Sequence, residues 1–561
     1  MLGRRSLVGG AALFASLGLA ACATEPAPQA VTTTAVSTPQ TTAAPQGADD
    51  ATLTLSVPAV AALDPAFVLS DAECALSYQL FDTLTDYDYE HGKLVGLAAS
   101  SWDVNERGDE IVFHLVHGAS FHNGDPVTSE SFKASWERLV ASLNSDAPSP
   151  NAYRLSGVDG FDEFVAGEEA RMRGLECPDE ETLRVRLSAP DVDFPSLVAH
   201  PSLAPLPEGE GTGTRTAYYA SHPIGNGPFR LVQDWDGTSA LELEPFADYH
   251  SGAPRLSKLC LLPQTAAEGY KALEAGTVDF ASVPVDRMSE AKLKLKQPKS
   301  GYTLSSEERL LLGEALRCCY LACNLSDAQL GSVHLRHALS LALNRQAICD
   351  DALGGTGEPA DGIVPPVCPG YEAGSWSNVR YDVAAATAIL DQYWPAGQDG
   401  ARPLSLTLAH ESDEGSTQVA RLVAEYLDRV GVKLTLAPLS GHDLRSALAQ
   451  GSYQLALTVL APTTPDLDAV LYPLFFGGSG ATGTLGYNEE PVNKLLSEAR
   501  ACGDEQERLT LYQQVNRMVG LDMPVLPLVY DRLHVACSER VASLAIDPVG
   551  RQHCAKAQLK A

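Results

Sequence analysis

Apolar positions in this chain change their period from segment to segment, and the changes mark its elements. From 417 to 430, Val419, Leu422, Val423, Tyr426, Leu427 and Val430 recur at spacings of three and four, one stripe of an α-helix. Gly431 ends that helix, and Val432, Leu434 and Leu436 then alternate as a strand. Phe132, Trp136, Leu139 and Val140 share another helical face, for which Thr128 is the cap, and Leu509, Tyr512, Val515 and Val519 form a third stripe. Strands and helices alternating after Leu53 predict α/β layers. No internal repeat is visible.

The first fifty residues follow other rules. Arg4 and Arg5 precede Leu7 to Ala21, which are apolar or small throughout and too short to span a bilayer comfortably. Leu19-Ala20-Ala21-Cys22 has the form of a bacterial lipobox, which predicts a signal peptide over 1–21, cleavage before Cys22 and lipidation of the Cys22 thiol. The arginine pair fits a twin-arginine signal and a plain charged signal start equally. Ala, Thr, Pro and Gln dominate the stretch to residue 50, with too little apolar surface to offset ordering entropy. The expectation over 22–50 is a flexible tether reaching roughly 30 Å on average. No later segment has the run of apolar residues that a transmembrane helix needs.

Composition narrows the function classes. The 561 residues are 45% hydrophobic and 20% charged, a globular balance with length for two to four domains. The formal charge is −31, and loss of Arg4 and Arg5 with the signal peptide takes it to −33. A surface that acidic repels nucleic acid and anionic lipid. Of 12 cysteines, a lipidated Cys22 leaves an odd number, so at least one thiol stays free. Cys318, Cys319, Cys323, His334 and His337 put soft ligands within twenty residues, but adjacent strand residues face opposite ways and the spacing misses the usual zinc pattern. Buried structural thiols are the expectation, with no metal and no cofactor. Gly477-Gly478-Ser479-Gly480 is followed by Ala481, so no nucleophile elbow forms, and there is no His-Glu-x-x-His and no phosphate loop. These absences point away from an enzyme, with a lipid-anchored hydrolase as the least favoured reading.

An ordered set of segments carries more. Leu63-Asp64-Pro65 is followed by Gln79-Leu80-Phe81-Asp82-Thr83-Leu84, then by Phe121-His122-Asn123-Gly124-Asp125-Pro126-Val127-Thr128. Pro223-Ile224-Gly225-Asn226-Gly227-Pro228-Phe229, Leu273-Glu274-Ala275-Gly276-Thr277-Val278-Asp279, Asn324, Leu335-Arg336-His337-Ala338-Leu339-Ser340, Asn344-Arg345 and Pro527-Leu528 complete it. Together they resemble the dipeptide- and oligopeptide-binding proteins of ABC importers, the bacterial extracellular solute-binding family 5, over nearly all of 52–550. Physically, Asn123-Gly124-Asp125-Pro126 and Asn226-Gly227-Pro228 read as turns.

The resemblance implies a two-lobed α/β fold of the periplasmic-binding-protein kind. Lobe I would span 51–265, with an extra subdomain at about 86–205, and lobe II 266–528. The return, 529–561, would complete lobe I, with hinge crossings near 262–268 and 526–532. It implies a monomer that captures peptides or similar polar solutes between the lobes for a membrane permease and its ATPase. A ligand sensor or a peptide-holding chaperone on the same fold is the alternative. Where family peptide binders place an aspartate for the ligand's α-amino group, this chain has Thr463. Asp466, three residues on, reads more as a helix cap than as an amine contact. By position, the other cleft candidates are Leu69, Ser70, Asp71, Asn226, Tyr320, Asn324, His410, Thr464, Tyr530 and Asp531. The set offers no arginine clamp for a carboxylate.

Overall fold

The computed structural model describes residues 51–146, 148–207, 219–398, 401–477 and 485–560. The signal peptide, Cys22 and the tether lie outside the described residues. Two long antiparallel strands, Leu310–Cys323 and Val525–Cys537, run through the molecule. At one end Phe280–Ser282 joins the second of them, and the sheet continues through Thr52–Val57, Lys258–Pro263, Leu241–Pro245 and Phe229–Leu231. At the other end Leu455–Leu460 joins the first, followed by Ser405–Glu411 and Lys433–Leu439. With Glu358–Pro359 at its side, this makes one mixed sheet of 11 strands.

Each half of the sheet has its own core, and these cores are the two lobes. The first gathers Leu53, Leu80, Phe229, Leu259 and Phe280, the second Leu321, Leu339, Trp376, Leu408 and Phe475. A third core around Phe113, Trp136 and Leu183 fills a separate four-stranded sheet within 99–186, the body of the subdomain. Cys318 to Cys323 are nearly all buried, within the core of the second lobe, so that stretch does not alternate.

The crossing between lobes differs from the expected one. Helix Ala266–Glu274 and strand Phe280–Ser282 pack on the first lobe, with Tyr270 and Leu273 against Leu310 and Ala536. The chain passes to the second lobe inside the strand Leu310–Cys323, whose pairing slips between Glu314 and Cys318, rather than at 262–268. The return passage lies inside Val525–Cys537. A register slip bends a strand and re-aims its side chains, and Arg317 sits in this one.

Three of the family-like segments interlock as scaffold. Asn226 accepts from the Asp82 amide at 2.9 Å and donates to the Asp82 carbonyl at 3.1 Å. The His122 ring accepts from the Gly225 amide and donates to the Gly227 carbonyl, and burial lowers its pKa to about 4, so it stays neutral. A Cβ on Gly225 would stand 1.8 Å from the Leu80 carbonyl oxygen, so only glycine admits that approach. Arg345, in another such segment, donates to the carbonyls of Ser340, Pro527 and Val379.

Candidate functional site

Where both lobes, the subdomain and the slipped strand meet, they leave a cleft of about 280 Å³. Ser70 caps the helix Asp71–Leu80 through a reciprocal pair with Glu73, and this fixes Leu69, Asp71, Cys74 and Tyr78 along one wall. Asn151, Tyr153, Arg154 and His200 come from the subdomain, Val459, Pro462 and Thr463 from the second lobe, and Arg551 from the C-terminal return. Burial, with Asp71 adding to it, pushes the Cys74 thiol up to about 12, so the sulfur faces the cleft as a neutral thiol.

The charges in the cleft are mostly committed. Arg317 pairs with Asp71, and its Nε stands 3.2 Å from Asp531 Oδ2. Burial works against that cation, but the two carboxylates keep it charged. Arg551 grips Asp86 through both terminal nitrogens, at 2.9 and 3.1 Å, bonds Asp547 at 2.8 Å, and covers the Tyr78 ring. Arg551 thus ties the C-terminal return to the start of the first lobe, and Arg317 ties the slipped strand to Asp71 of that lobe and Asp531 of the return.

Beside the cleft the lobes touch directly. Arg500 of the second lobe bonds Asp468 with two nitrogens, at 2.7 and 2.6 Å, and reaches Asp191 of the subdomain at 3.1 Å. Tyr512 donates to Asp193 and Asp468, Arg508 stands 3.2 Å from Asp193, and Ser196 donates to Asp466 at 2.6 Å. Tyr89 donates to the Thr463 carbonyl at 3.2 Å. Burial raises the Asp191 pKa to about 6, Asp468 adding to the rise and Arg500 opposing it, while Asp193 is raised further by burial and Asp468.

The predicted ligand residues divide by geometry. Leu69, Asp71 and Thr463 line the cleft, and Asp531 reaches its rim through Arg317. Ser70 is spent on its cap. Asp466 is the N-cap of Leu467–Phe475, accepting from the Ala469 amide at 2.6 Å, with Thr464 buried behind it. Asn226, Tyr320, His410 and Tyr530 are buried away from the cleft, and Asn324, half-buried, lies outside it as well. Asn324 donates to the Gly451 and Tyr453 carbonyls, and Tyr530 to Asp361 and Gly362. Arg154, His200, Arg317 and Arg551 escaped the sequence reading. The one available signal was Arg317, the lone cation in a strand whose other charged residue is Glu314.

The soft-ligand segment does not converge: His334 stacks on Tyr393 and His337 bonds the Leu521 carbonyl. The described residues hold no metal-sized cluster of His, Cys, Asp or Glu, and the eleven described cysteines form no disulfide. No described helix is long and apolar enough to cross a membrane. A second, larger cavity of about 480 Å³ lies within the first lobe, between helix Asp71–Leu80 and the sheet. Its walls are largely apolar, with Val57, Leu76, Trp235, Leu261 and Phe280, and it adjoins the cleft at Asp71, Ala75, Arg317 and Val549.

The chain thus has a two-lobed α/β frame, with a cleft between its lobes and two long strands running through both. Residues 93–482 match the model of the bacterial extracellular solute-binding proteins, family 5 (middle region), and the chain belongs to that family. The "Probable D,D-dipeptide-binding periplasmic protein" of Escherichia coli is 25% identical over 507 residues, covering 87% of this chain and 90% of its own. The "Probable deoxycholate-binding periplasmic protein" of the same organism is 26% identical over 482 residues, 84% of this chain and 86% of its own. Among solved structures, Haemophilus influenzae OppA in complex with RPPGFSPFR superposes with a TM-score of 0.75 at 20% identity, over 92% of this chain and 100% of that one. The family is one of extracytoplasmic binding proteins of transporters, not of enzymes.

Proposed function

We propose that this chain is the capture component of an ABC importer, anchored outside the cytoplasmic membrane by a lipid on Cys22. It takes a peptide or a similarly small polar solute into the inter-lobe cleft as a monomer and passes it to a permease driven by an ATPase. The observation that carries this reading is the cleft itself, where both lobes, the subdomain and the slipped hinge strand present side chains to one unfilled volume. A solute touching both lobes there favours the closed arrangement by its extra contacts. Relatives are named for a D,D-dipeptide and for deoxycholate. The polar lining of Arg154, His200, Asn151 and Thr463 supports a peptide-like solute over a steroid.

Thr463 bears on which end of a peptide is read. It stands in the cleft as a neutral hydroxyl, while Asp71 and Asp531 are both held by Arg317. Among the described residues, no carboxylate lining the cleft is therefore left free for an α-ammonium. Calorimetry with small peptides tests the ligand class, and Cys22→Ala tests the anchor. Release of that variant into the medium is expected, and its retention on the membrane contradicts the anchor.

A further inference from the structure

Of the three arginines lining the cleft, Arg317 and Arg551 each face two carboxylates, and Arg154 faces none among the described residues. Arg154 is half-buried, with its guanidinium over the Tyr153 ring at 5.3 Å. Its hydrogen bond to protein runs from Nε to Asn151 Oδ1 at 3.4 Å, a long one, and both terminal amino groups are left without an acceptor among the described residues. Asn151 is itself fixed, donating to the Val68 carbonyl at 2.8 Å. In a chain with 71 acidic and 40 basic residues, a cleft arginine without an acid is an open valence for a ligand.

His200 stands in the same wall with 5% exposure. Its Nδ1 accepts from the Ser202 amide at 3.2 Å, so the ring proton of the neutral imidazole sits on Nε2. Burial and the nearby Arg154 cation keep the ring neutral. That Nε2–H has no protein acceptor among the described residues. The wall thus holds a planar cation with two spare donors and a buried neutral donor beside it.

We propose that Arg154 and His200 form a carboxylate subsite, which takes the C-terminal carboxylate of a peptide solute on the lobe I side of the cleft. The guanidinium supplies charge and a paired geometry, and His200 a single further hydrogen bond. The solute's other end then lies toward Thr463 and Val459, where no charge awaits it. This rests on the cleft being the solute site. The expected arginine-free site, by contrast, gives way to one with a single uncommitted arginine.

Two measurements on the full chain test it separately from the peptide reading. Calorimetry compares tri-alanine with tri-alanine amide, and acetate is titrated while the His200 ring resonance is followed by NMR. Amidation should weaken binding about tenfold or more, the cost of losing a charge-assisted hydrogen bond. Arg154→Gln should remove that preference without lowering the melting temperature of the empty protein, and Arg154→Lys should restore part of it. Acetate should shift the His200 resonance saturably, and not in Arg154→Gln. Equal binding of acid and amide overturns the subsite and leaves the peptide reading standing. Binding of neither peptide, with an Arg154-dependent acetate response, overturns the peptide reading and supports the subsite. No acetate response overturns the subsite.

Discussion

The subdomain of the first lobe meets the second lobe twice, on opposite terms. At Asp191, Asp193 and Ser196 it meets Arg500, Arg508, Tyr512 and Asp466, and each of these polar groups has a partner across the boundary. At Asn151, Arg154 and His200 it faces Val459 and Thr463 across open volume, with donors left over. The first contact is complete without a third party, and the second is not. Exposed ion pairs contribute little to stability, but a buried pair that loses one member leaves a charge stranded. The committed contact therefore governs how the lobes sit, and the uncommitted one governs what they hold.

The strongest way to break the contrast is Arg500→Met. It strands Asp191 and Asp468 in the buried contact, and denaturant unfolding should show a loss of about 3–5 kcal/mol. Arg154→Met, across the boundary, should cost less than about 1 kcal/mol, because no carboxylate depends on it. Similar losses for the two would erase the distinction.

Acidity should sharpen it. Asp191 is faced by Arg500, Asp468 and Asp466, and its pKa rises from an ordinary 3.8 to about 6 in the contact. A carboxyl with a raised pKa favours the contact while protonated; that contribution is complete below pH 4 and is lost as pH rises through 6. Asp193 shifts the same way. Energy transfer between dyes on the two lobes should report closer lobes at pH 5 than at pH 7.5, with the change reduced in Asp191→Asn. Lobes that open on acidification would mean that protonated Asp191 disfavours the contact, the opposite sign.

Thr463→Asp probes the open side. The wild type should bind free and N-acetylated peptides about equally, and the variant should gain about tenfold for the free amine, the scale of one charged hydrogen bond. A wild type that already loses acetylated peptides tenfold has another amine anchor. The smallest effect expected is from Ser196→Ala, which removes one hydrogen bond to Asp466 and should cost about 1 kcal/mol in unfolding.

What the sequence shows of this protein is mostly scaffold. The stripe ending at Val430 becomes helix Glu414–Asp428, and Gly431, at φ +77°, turns the chain toward strand Lys433–Leu439. Thr128 caps its helix as its position suggests, accepting from the Ser131 amide. Local periodicity and turn chemistry suffice for such elements. The family-like segments are conspicuous because glycines and an asparagine must fit backbone against backbone, as Gly225 and Asn226 do with Leu80 and Asp82. The register slip between Glu314 and Cys318 was not legible, because it depends on the partner strand. Nor was the difference between Arg154 and Arg317, since an arginine's partners come from residues far along the chain.

Solute is expected in the inter-lobe cleft rather than in the larger apolar cavity beside it. Native mass spectrometry of protein from its own host, wild type against Thr463→Trp, tests this most directly. A bound solute mass on the wild type that is missing from the variant, whose indole fills the cleft, is the predicted result. The same solute mass on both would place it elsewhere, with the chamber under helix Asp71–Leu80 the first site to examine, and would contradict the account.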